Sequence, residues 1–329
     1  MSTSLKVVMN YDFPASIIDQ IREAAQTEVI YQKDDAAFKE ALAEAEIVCG
    51  FLPGDNWREL APHLRWLQNP GAGIDKLLDT PIMAPDSGVI ITTAAGVHQY
   101  IISEYVFGSM LMFNRSWPTM VELQAKHIWP HTAQEHQEYP LRKQELVDRT
   151  LGIVGLGNIG RRIAQVGRAF GMEILASRHS TQAGDSDPDV DRLFSSEQLH
   201  EMLGLCDYVV LALPLTKETK HLIGEAELRA MPAHSYLVNI GRGDIIDEQV
   251  LIRALRENWI AGAGLDVASQ EPLPADSPLY DLPNVILTPH ISGGHERYAE
   301  RLGKLFIDNL RRYRAGQPLR NLVNTQKGY

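Results

Sequence analysis

The chain has 329 residues, enough for about two domains with separate cores. Hydrophobic residues at 44% and charged residues at 22% are ordinary for a folded globular protein and exclude extensive disorder. A formal net charge of −11 argues against a general nucleic-acid or anionic-membrane surface, though not against small anionic ligands, which need only local positive charge.

The N-terminal MSTSLKVVMN lacks a signal-peptide pattern, and no apolar stretch approaches the ~20 residues of a membrane span. The two cysteines, Cys49 and Cys206, fall at strand ends without metal-ligand spacing. They read as buried free thiols in a reducing, cytoplasmic setting.

In chain order, Leu5–Asn10 reads as a strand and Pro14–Ala25 as an amphipathic helix with Ile17, Ile18 and Ile21 on one side. Strands follow at Val29–Tyr31, Ile47–Phe51, Leu64–Gln68 and Val89–Thr92, with a helix at Asp34–Ala43. Pro53-Gly54 stops the third strand, and Asn69-Pro70-Gly71-Ala72-Gly73 follows the fourth. A long helix is expected over His98–Arg115, where Ile102, Val106, Met110 and Phe113 recur at three- and four-residue spacing. The polar segment Trp117–Val147 reads as a partly helical arm.

From Leu151 the alternation restarts. Strands are expected at Leu151–Val154, Glu173–Ser177, Tyr208–Leu213, Tyr236–Ile240, Gly262–Asp266 and Val285–Thr288. Helices are expected at Ile159–Phe170, Ser196–Leu203, Thr219–Ile223, Asp247–Glu257 and Glu296–Tyr313. Asp185–Asp189 reads as an exposed loop. Strands alternating with helices imply parallel sheets covered on both faces, and the two distinct segments imply two α/β domains.

The stretch LGIVGLGNIG places Gly155, Gly157 and Gly160 between a strand and a helix. That is the order a dinucleotide site needs: a tight turn, a close backbone approach to a pyrophosphate, and a helix packed closely on its strand. The helix N-terminus supplies N–H groups and the positive dipole end.

Three further places follow predicted parallel strands, at the carboxyl end where open α/β sheets bind ligands. In Gly241-Arg242-Gly243 the flanking glycines leave a planar cation approachable by a substrate carboxylate, the alternative being a structural pair with Asp244 or Asp247. His290, after Pro289, has an imidazole suited to proton exchange with a carbonyl oxygen. Glu271, in the preceding turn, would orient that ring through its other nitrogen and favour its charged form. Asp266 ends a strand, either to accept from a nicotinamide carboxamide or to cap the turn.

At these residues the chain resembles the D-isomer-specific 2-hydroxyacid dehydrogenase family. The matching stretches are LVDRTLGIVGLGNIGRRIA, CDYVVLALPLTKETKHLI, LVNIGRGDIIDEQVLIRAL, AGLDV, QEPLPADSPLYDLPNVILTPHISG and, more weakly, LQNPGAGID. The resemblance implies two doubly wound parallel-sheet domains. A Rossmann cofactor domain, residues 98–293, is inserted into a flavodoxin-like substrate domain, residues 1–97 and 294–329. It implies Arg242 at the substrate carboxylate and carbonyl, His290 as acid/base, Glu271 as its partner, and backbone N–H groups of Ala72 and Gly73 at the carboxylate. For the cofactor it implies Asn158 and Ile159 at the pyrophosphate, Pro214 and Thr219 near the adenosine side, and Ile240 and Asp266 near the nicotinamide, with His290 and Gly293 completing that end. It also implies a homodimer. The chain departs from the common pattern at Ala268, where the family often has an aromatic residue, and at Ile102-Ser103-Glu104, where Val-Ala-Glu is usual.

The strand Glu173–Ser177 bears on cofactor choice. An NAD-type site places Asp or Glu there to accept from the ribose hydroxyls. Here Ser177, Arg178, His179, Ser180 and Thr181 stand instead. Arg178 suits a 2′-phosphate, and the hydroxyls can donate to it, so NADP(H) is expected to be preferred with NAD(H) as a second cofactor. The expected function is NADPH-dependent reduction of a small 2-oxo acid to a D-2-hydroxy acid, with no metal. Rivals are a family member acting on larger or unusual acids and a nucleotide-sensing corepressor of the same fold. The formate-oxidising type carries Gln at the place of Glu271. The acid's own pocket is expected to draw on Phe51–Gly54, Ala72–Gly73, His98 and the arm. Trp129 reads as core or interface packing, the alternative being a reach into a neighbouring subunit's pocket.

Overall fold

The computed structural model describes residues 6–52, 56–74, 77–78, 80–182 and 184–325. In chain order the elements are β1 (Lys6–Met9), α1 (Ala15–Ala25), β2 (Glu28–Tyr31), α2 (Asp35–Ala41), β3 (Ile47–Cys49), α3 (Trp57–Leu60), β4 (Trp66–Gln68) and β5 (Ile90–Thr92). Then come α4 (Gln99–Asn114), α5 (Trp117–Ala125), α6 (Ala133–Glu138), β6 (Thr150–Val154), α7 (Asn158–Ala169), β7 (Glu173–Ser177), β8 (Arg192–Phe194), α8 (Leu199–Leu203) and β9 (Tyr208–Leu211). The last are α9 (Glu225–Ala230), β10 (Tyr236–Asn239), α10 (Glu248–Arg256), β11 (Gly262–Leu265), β12 (Val285–Leu287) and α11 (Tyr298–Arg314). The chain divides into two units: Met1–His98 with Gly294–Tyr329, and Gln99–Gly293.

The first unit holds a five-stranded sheet in the order β2-β1-β3-β4-β5. All its strand pairs are parallel. This is the flavodoxin-like order. Its final helix belongs here because α11 is amphipathic. Leu302, Phe306 and Leu310 are buried in one cluster with Val7, Met9, Ile17 and Ile21. Phe306 meets the fully buried Trp66 of β4 at 5.3 Å between ring centroids.

The second unit holds a seven-stranded sheet in the order β12-β11-β10-β9-β6-β7-β8, also parallel throughout. Alternate side chains feed opposite faces. Val209 and Leu211 enter one buried cluster, Tyr208 and Val210 the other. That is why these strands read as continuous apolar runs. Fully burying one such side chain contributes roughly 1.5–3 kcal/mol, so both layers are needed to hold the sheet. The strand order reverses between β6 and β9, the topological switch point where such sheets place a ligand crevice.

Three elements differ from the sequence reading: the short helix α3, which the sequence did not mark, β8 and the segment Thr219–Ile223. β8 is an additional short edge strand, paired to β7. The segment Thr219–Ile223, expected as a helix, is a turn, and the helix lies later, as α9. The hydroxyl of Thr219 explains this: it accepts from Thr216 N at 2.7 Å and donates to the carbonyl of Pro214, so the side chain competes with a helical ladder. The arm is partly helical, as expected, with α5, α6 and irregular chain; Trp129 is 86% exposed, so it is not core. Among the described residues no helix is long and apolar enough to cross a membrane.

Candidate active site

The glycine turn after β6 has a separate physical reason at each glycine. Gly155 has φ +101°, and a Cβ there would lie 2.6 Å from the Ala212 carbonyl oxygen on the neighbouring strand end. A Cβ on Gly160 would lie 2.2 Å from the Gly155 oxygen, so the helix could not sit this close to the turn. A Cβ on Gly157 would meet nothing within 4 Å. That side of the turn is an open cradle. Gly157 is also the N-cap of α7, and no side chain caps the helix. The first-turn N–H groups, those of Asn158 and Ile159 among them, are thus left for an external acceptor.

At the end of β7, Ser177 is buried and Thr181 N donates to Arg178 O at 3.0 Å, closing a turn with His179 and Ser180 exposed at its corner. Arg178 Nε and Thr181 Oγ1 are buried with no hydrogen-bond partner. Two orphaned polar atoms on one turn are what a site for an acceptor has. The loop Asp185–Asp189 is not simply exposed, as its sequence suggested. The Asp187 side chain is only 6% exposed. It accepts from both terminal nitrogens of Arg161 at 2.7 Å and lies 3.6 Å from Arg178 Nη1. The Arg161 hydrogen bonds hold the Asp187 carboxyl below its usual range, against the opposing effect of burial. Asp189 also binds Arg161, at 2.5 Å. A carboxylate is therefore near this turn, brought by a loop rather than by the strand.

After β10, the turn Gly241-Arg242-Gly243 is pinned by Asn239, 1% exposed. Its side chain accepts from Gly241 N at 3.0 Å and donates to Arg242 O at 2.9 Å. A Cβ on Gly243 would lie 1.9 Å from the Ala268 backbone, so this turn rests directly on the loop that carries Glu271. Arg242 donates to the Gly241 carbonyl at 2.8 Å. Ile240, at the same strand end, is buried.

After β11 and β12 the remaining groups converge. His290 Nδ1 donates to Glu271 Oε2 at 2.7 Å, and Glu271 Oε1 accepts from Ala268 N at 3.2 Å. His290 has φ +53°, a costly conformation for a residue with a Cβ. It is held there from Asp266, which is 1% exposed. Asp266 O accepts from His290 N at 2.8 Å, and its carboxylate accepts from Ile291 N at 2.9 Å, Ser292 N at 3.0 Å and Thr288 Oγ1 at 2.6 Å. This is the capping role, and Oδ2 accepts from Ser292 N. Gly293 follows directly.

In the first unit, Asn69 Nδ2 donates to the carbonyls of Gly71 and Gly73, at 3.2 and 3.1 Å, shaping the loop that carries Ala72 and Gly73. The Tyr298 hydroxyl donates to Pro70 O, and His98 stacks on Tyr298 at 4.7 Å. Phe51 is exposed, while Pro53 and Gly54 lie outside the described residues. Among the described residues no group of His, Cys, Asp and Glu is arranged to hold a metal. Sequence reasoning missed Asn239 and Asp187. A buried Asn closing the apolar run LVN was a readable signal for the first; nothing local marked the second.

The family model "D-isomer specific 2-hydroxyacid dehydrogenase, NAD binding domain" matches residues 107–292. The chain belongs to the D-isomer-specific 2-hydroxyacid dehydrogenase family. It is 32% identical to a glyoxylate reductase of Thermococcus gammatolerans over 98% of this chain and 96% of that one. A family member of known structure from Aeromonas salmonicida superposes with a TM-score of 0.80 at 31% identity, covering 98% and 99% of the two chains. An NADPH-dependent glyoxylate/hydroxypyruvate reductase from Sinorhizobium meliloti, solved with NADP and sulfate, gives a TM-score of 0.80 at 25% identity, covering 99% and 100%. Membership of this dehydrogenase family makes the chain an oxidoreductase with a nicotinamide cofactor and a small-molecule acid substrate.

Proposed function

We propose that the protein reduces a small 2-oxo acid to the D-2-hydroxy acid with NADPH, tolerating NADH. The observation that carries the reading is the Glu271–His290 pair, set on a loop braced by Asp266, beside the turn that bears Arg242. The open face of Gly157, the uncapped start of α7 and the orphaned Arg178 and Thr181 atoms fit a dinucleotide.

Gly155–Gly160, with Asn158 and Ile159, are proposed to hold the pyrophosphate. Ser177, Arg178, His179, Ser180 and Thr181 would hold the 2′-phosphate, and Pro214 and Thr219 the adenosine side. Ile240, Asp266, His290 and Gly293 would surround the nicotinamide. When bound, the reduced nicotinamide supplies a hydride. Arg242 binds the acid's carboxylate and polarises its carbonyl, and Ala72 and Gly73 donate backbone N–H groups to a carboxylate. Glu271 fixes the His290 ring through Nδ1, leaving Nε2 to deliver a proton to the carbonyl oxygen. Two of the structures similar to this chain were solved with NADPH or NADP, which supports the phosphate-bearing cofactor.

A homodimer fits the apolar side chains left exposed on the arm, among them Trp117, Val121 and Trp129. The two buried thiols, Cys49 and Cys206, fit a reducing, cytoplasmic compartment. The deciding experiment is a panel of glyoxylate, hydroxypyruvate and bulkier 2-oxo acids, each assayed with NADPH and NADH. Turnover of small acids with NADPH favoured is expected. No turnover across the panel would overturn the reading.

A further inference from the structure

We infer that Tyr105 is a positioning residue for the reaction, acting on His290 through Thr288 and Asp266. The inference rests on the reading of His290 as the proton donor.

Tyr105 lies on α4, far in sequence from the catalytic loops, yet its hydroxyl is 2.8 Å from Thr288 Oγ1. The direction of that bond follows from its neighbours. Thr288 has one hydroxyl proton, and it goes to Asp266 Oδ1 at 2.6 Å, since a carboxylate only accepts. Thr288 must therefore accept from Tyr105. Burial pushes the Tyr105 hydroxyl up to about 12, which keeps it a donor across the working pH range. The result is a directed chain, Tyr105 to Thr288 to Asp266, ending on the carboxylate that receives Ile291 N and Ser292 N.

Those two N–H groups immediately follow His290, whose own N–H is bound by the Asp266 carbonyl. Asp266 thus grips the backbone on both sides of a residue held at φ +53°. Its own setting depends on Thr288 and, through it, on Tyr105. A small rotation of the Asp266 carboxylate would shift the His290 ring, and proton transfer tolerates little displacement. This path links α4 to the catalytic loop through the Tyr105–Thr288 bond. Neither Tyr105 nor Thr288 needs to touch substrate to have this effect.

The test is a double-mutant cycle with Tyr105→Phe and Thr288→Val. Tyr105→Phe keeps the ring and its packing and removes one donor. It should lower kcat about fivefold, the worth of one ordinary hydrogen bond, with the dissociation constant for NADPH unchanged. Thr288→Val should lower kcat about tenfold or more, and Thr288→Ser should restore most of that loss. On the Thr288→Val background, Tyr105→Phe should cost nothing further, because its acceptor is gone. Unchanged kcat in Tyr105→Phe, or additive losses in the double variant, would overturn the inference. His290→Gln separates this from failure of the underlying reading. If that variant keeps turnover, the proton-donor assignment falls. If it loses turnover while Tyr105→Phe keeps full kcat, only the positioning role falls.

Discussion

Replacing Glu271 by Gln tests what the charge of the pair contributes. The amide is nearly isosteric, and its oxygen can still accept from His290 Nδ1, at 2.7 Å in the native pair. The negative charge is removed, and with the amide oxygen turned to His290 the amide nitrogen cannot accept from Ala268 N as Glu271 Oε1 does at 3.2 Å. A hydrogen bond between charged partners is worth roughly 1.5–3 kcal/mol when sheltered, and an exposed ion pair about 0.2–1. Here the side chains are 49% and 39% exposed, so the pair falls between those limits, at about 1–2 kcal/mol. If that energy is realised as the imidazole carries its proton toward the carbonyl oxygen, kcat falls roughly 5- to 30-fold. NADPH binding should be unaffected, since Glu271 lies in none of the segments proposed to hold the cofactor. Steady-state kinetics with a fixed 2-oxo acid, paired with fluorescence titration of NADPH, measures both. Wild-type kcat in this variant, or a fall that tracks lost NADPH binding, would refute the reasoning.

Arg178→Ala should raise KM for NADPH about tenfold and leave KM for NADH within a factor of two; equal losses with both cofactors would show that the side chain selects nothing. Asp187→Asn should move selectivity the other way, raising the NADPH-to-NADH efficiency ratio by roughly three- to tenfold, because a carboxylate 3.6 Å from Arg178 Nη1 is removed. The same variant has a pH signature. The Asp187 carboxyl is held below its usual range in the folded chain, so its stabilisation is present at neutral pH and is lost as pH falls through and below the ordinary carboxylate range. The melting temperature of Asp187→Asn should therefore decline less between neutral pH and about pH 3 than that of the wild type. Arg242→Ala should raise KM for the 2-oxo acid by about ten- to a hundredfold with NADPH affinity retained, and an unchanged KM would count against the clamp.

Much of this was legible from residue patterns because the relevant signals are local. β7 begins and ends at the residues its apolar run indicated, and the glycine turn sits between a strand and a helix as its spacing required. β8 was missed because Arg192-Leu193-Phe194 is a short edge strand in which only Phe194 is buried. The turn at Thr219 was read as a helix because hydroxyl-to-backbone bonds leave no trace in periodicity. Asp187 was hidden for a different reason: its partner Arg161 stands 26 residues earlier, and only the fold closes that distance. Tyr105 was absorbed into the apolar rhythm of α4, and its polar end mattered only once Thr288 was seen beside it. Local order could be read along the chain. The Glu271–His290 contact could be read as well, but the pairings of Arg161 with Asp187 and of Tyr105 with Thr288 could not.

The central claim is that His290 delivers the proton in an NADPH-linked reduction of a 2-oxo acid. Its most direct measurement is kcat of His290→Gln with a 2-oxo acid the wild type reduces, alongside the NADPH dissociation constant. A fall of about a hundredfold to ten-thousandfold in kcat, with NADPH binding intact, is the expected result. Turnover within a few-fold of wild type would contradict the account.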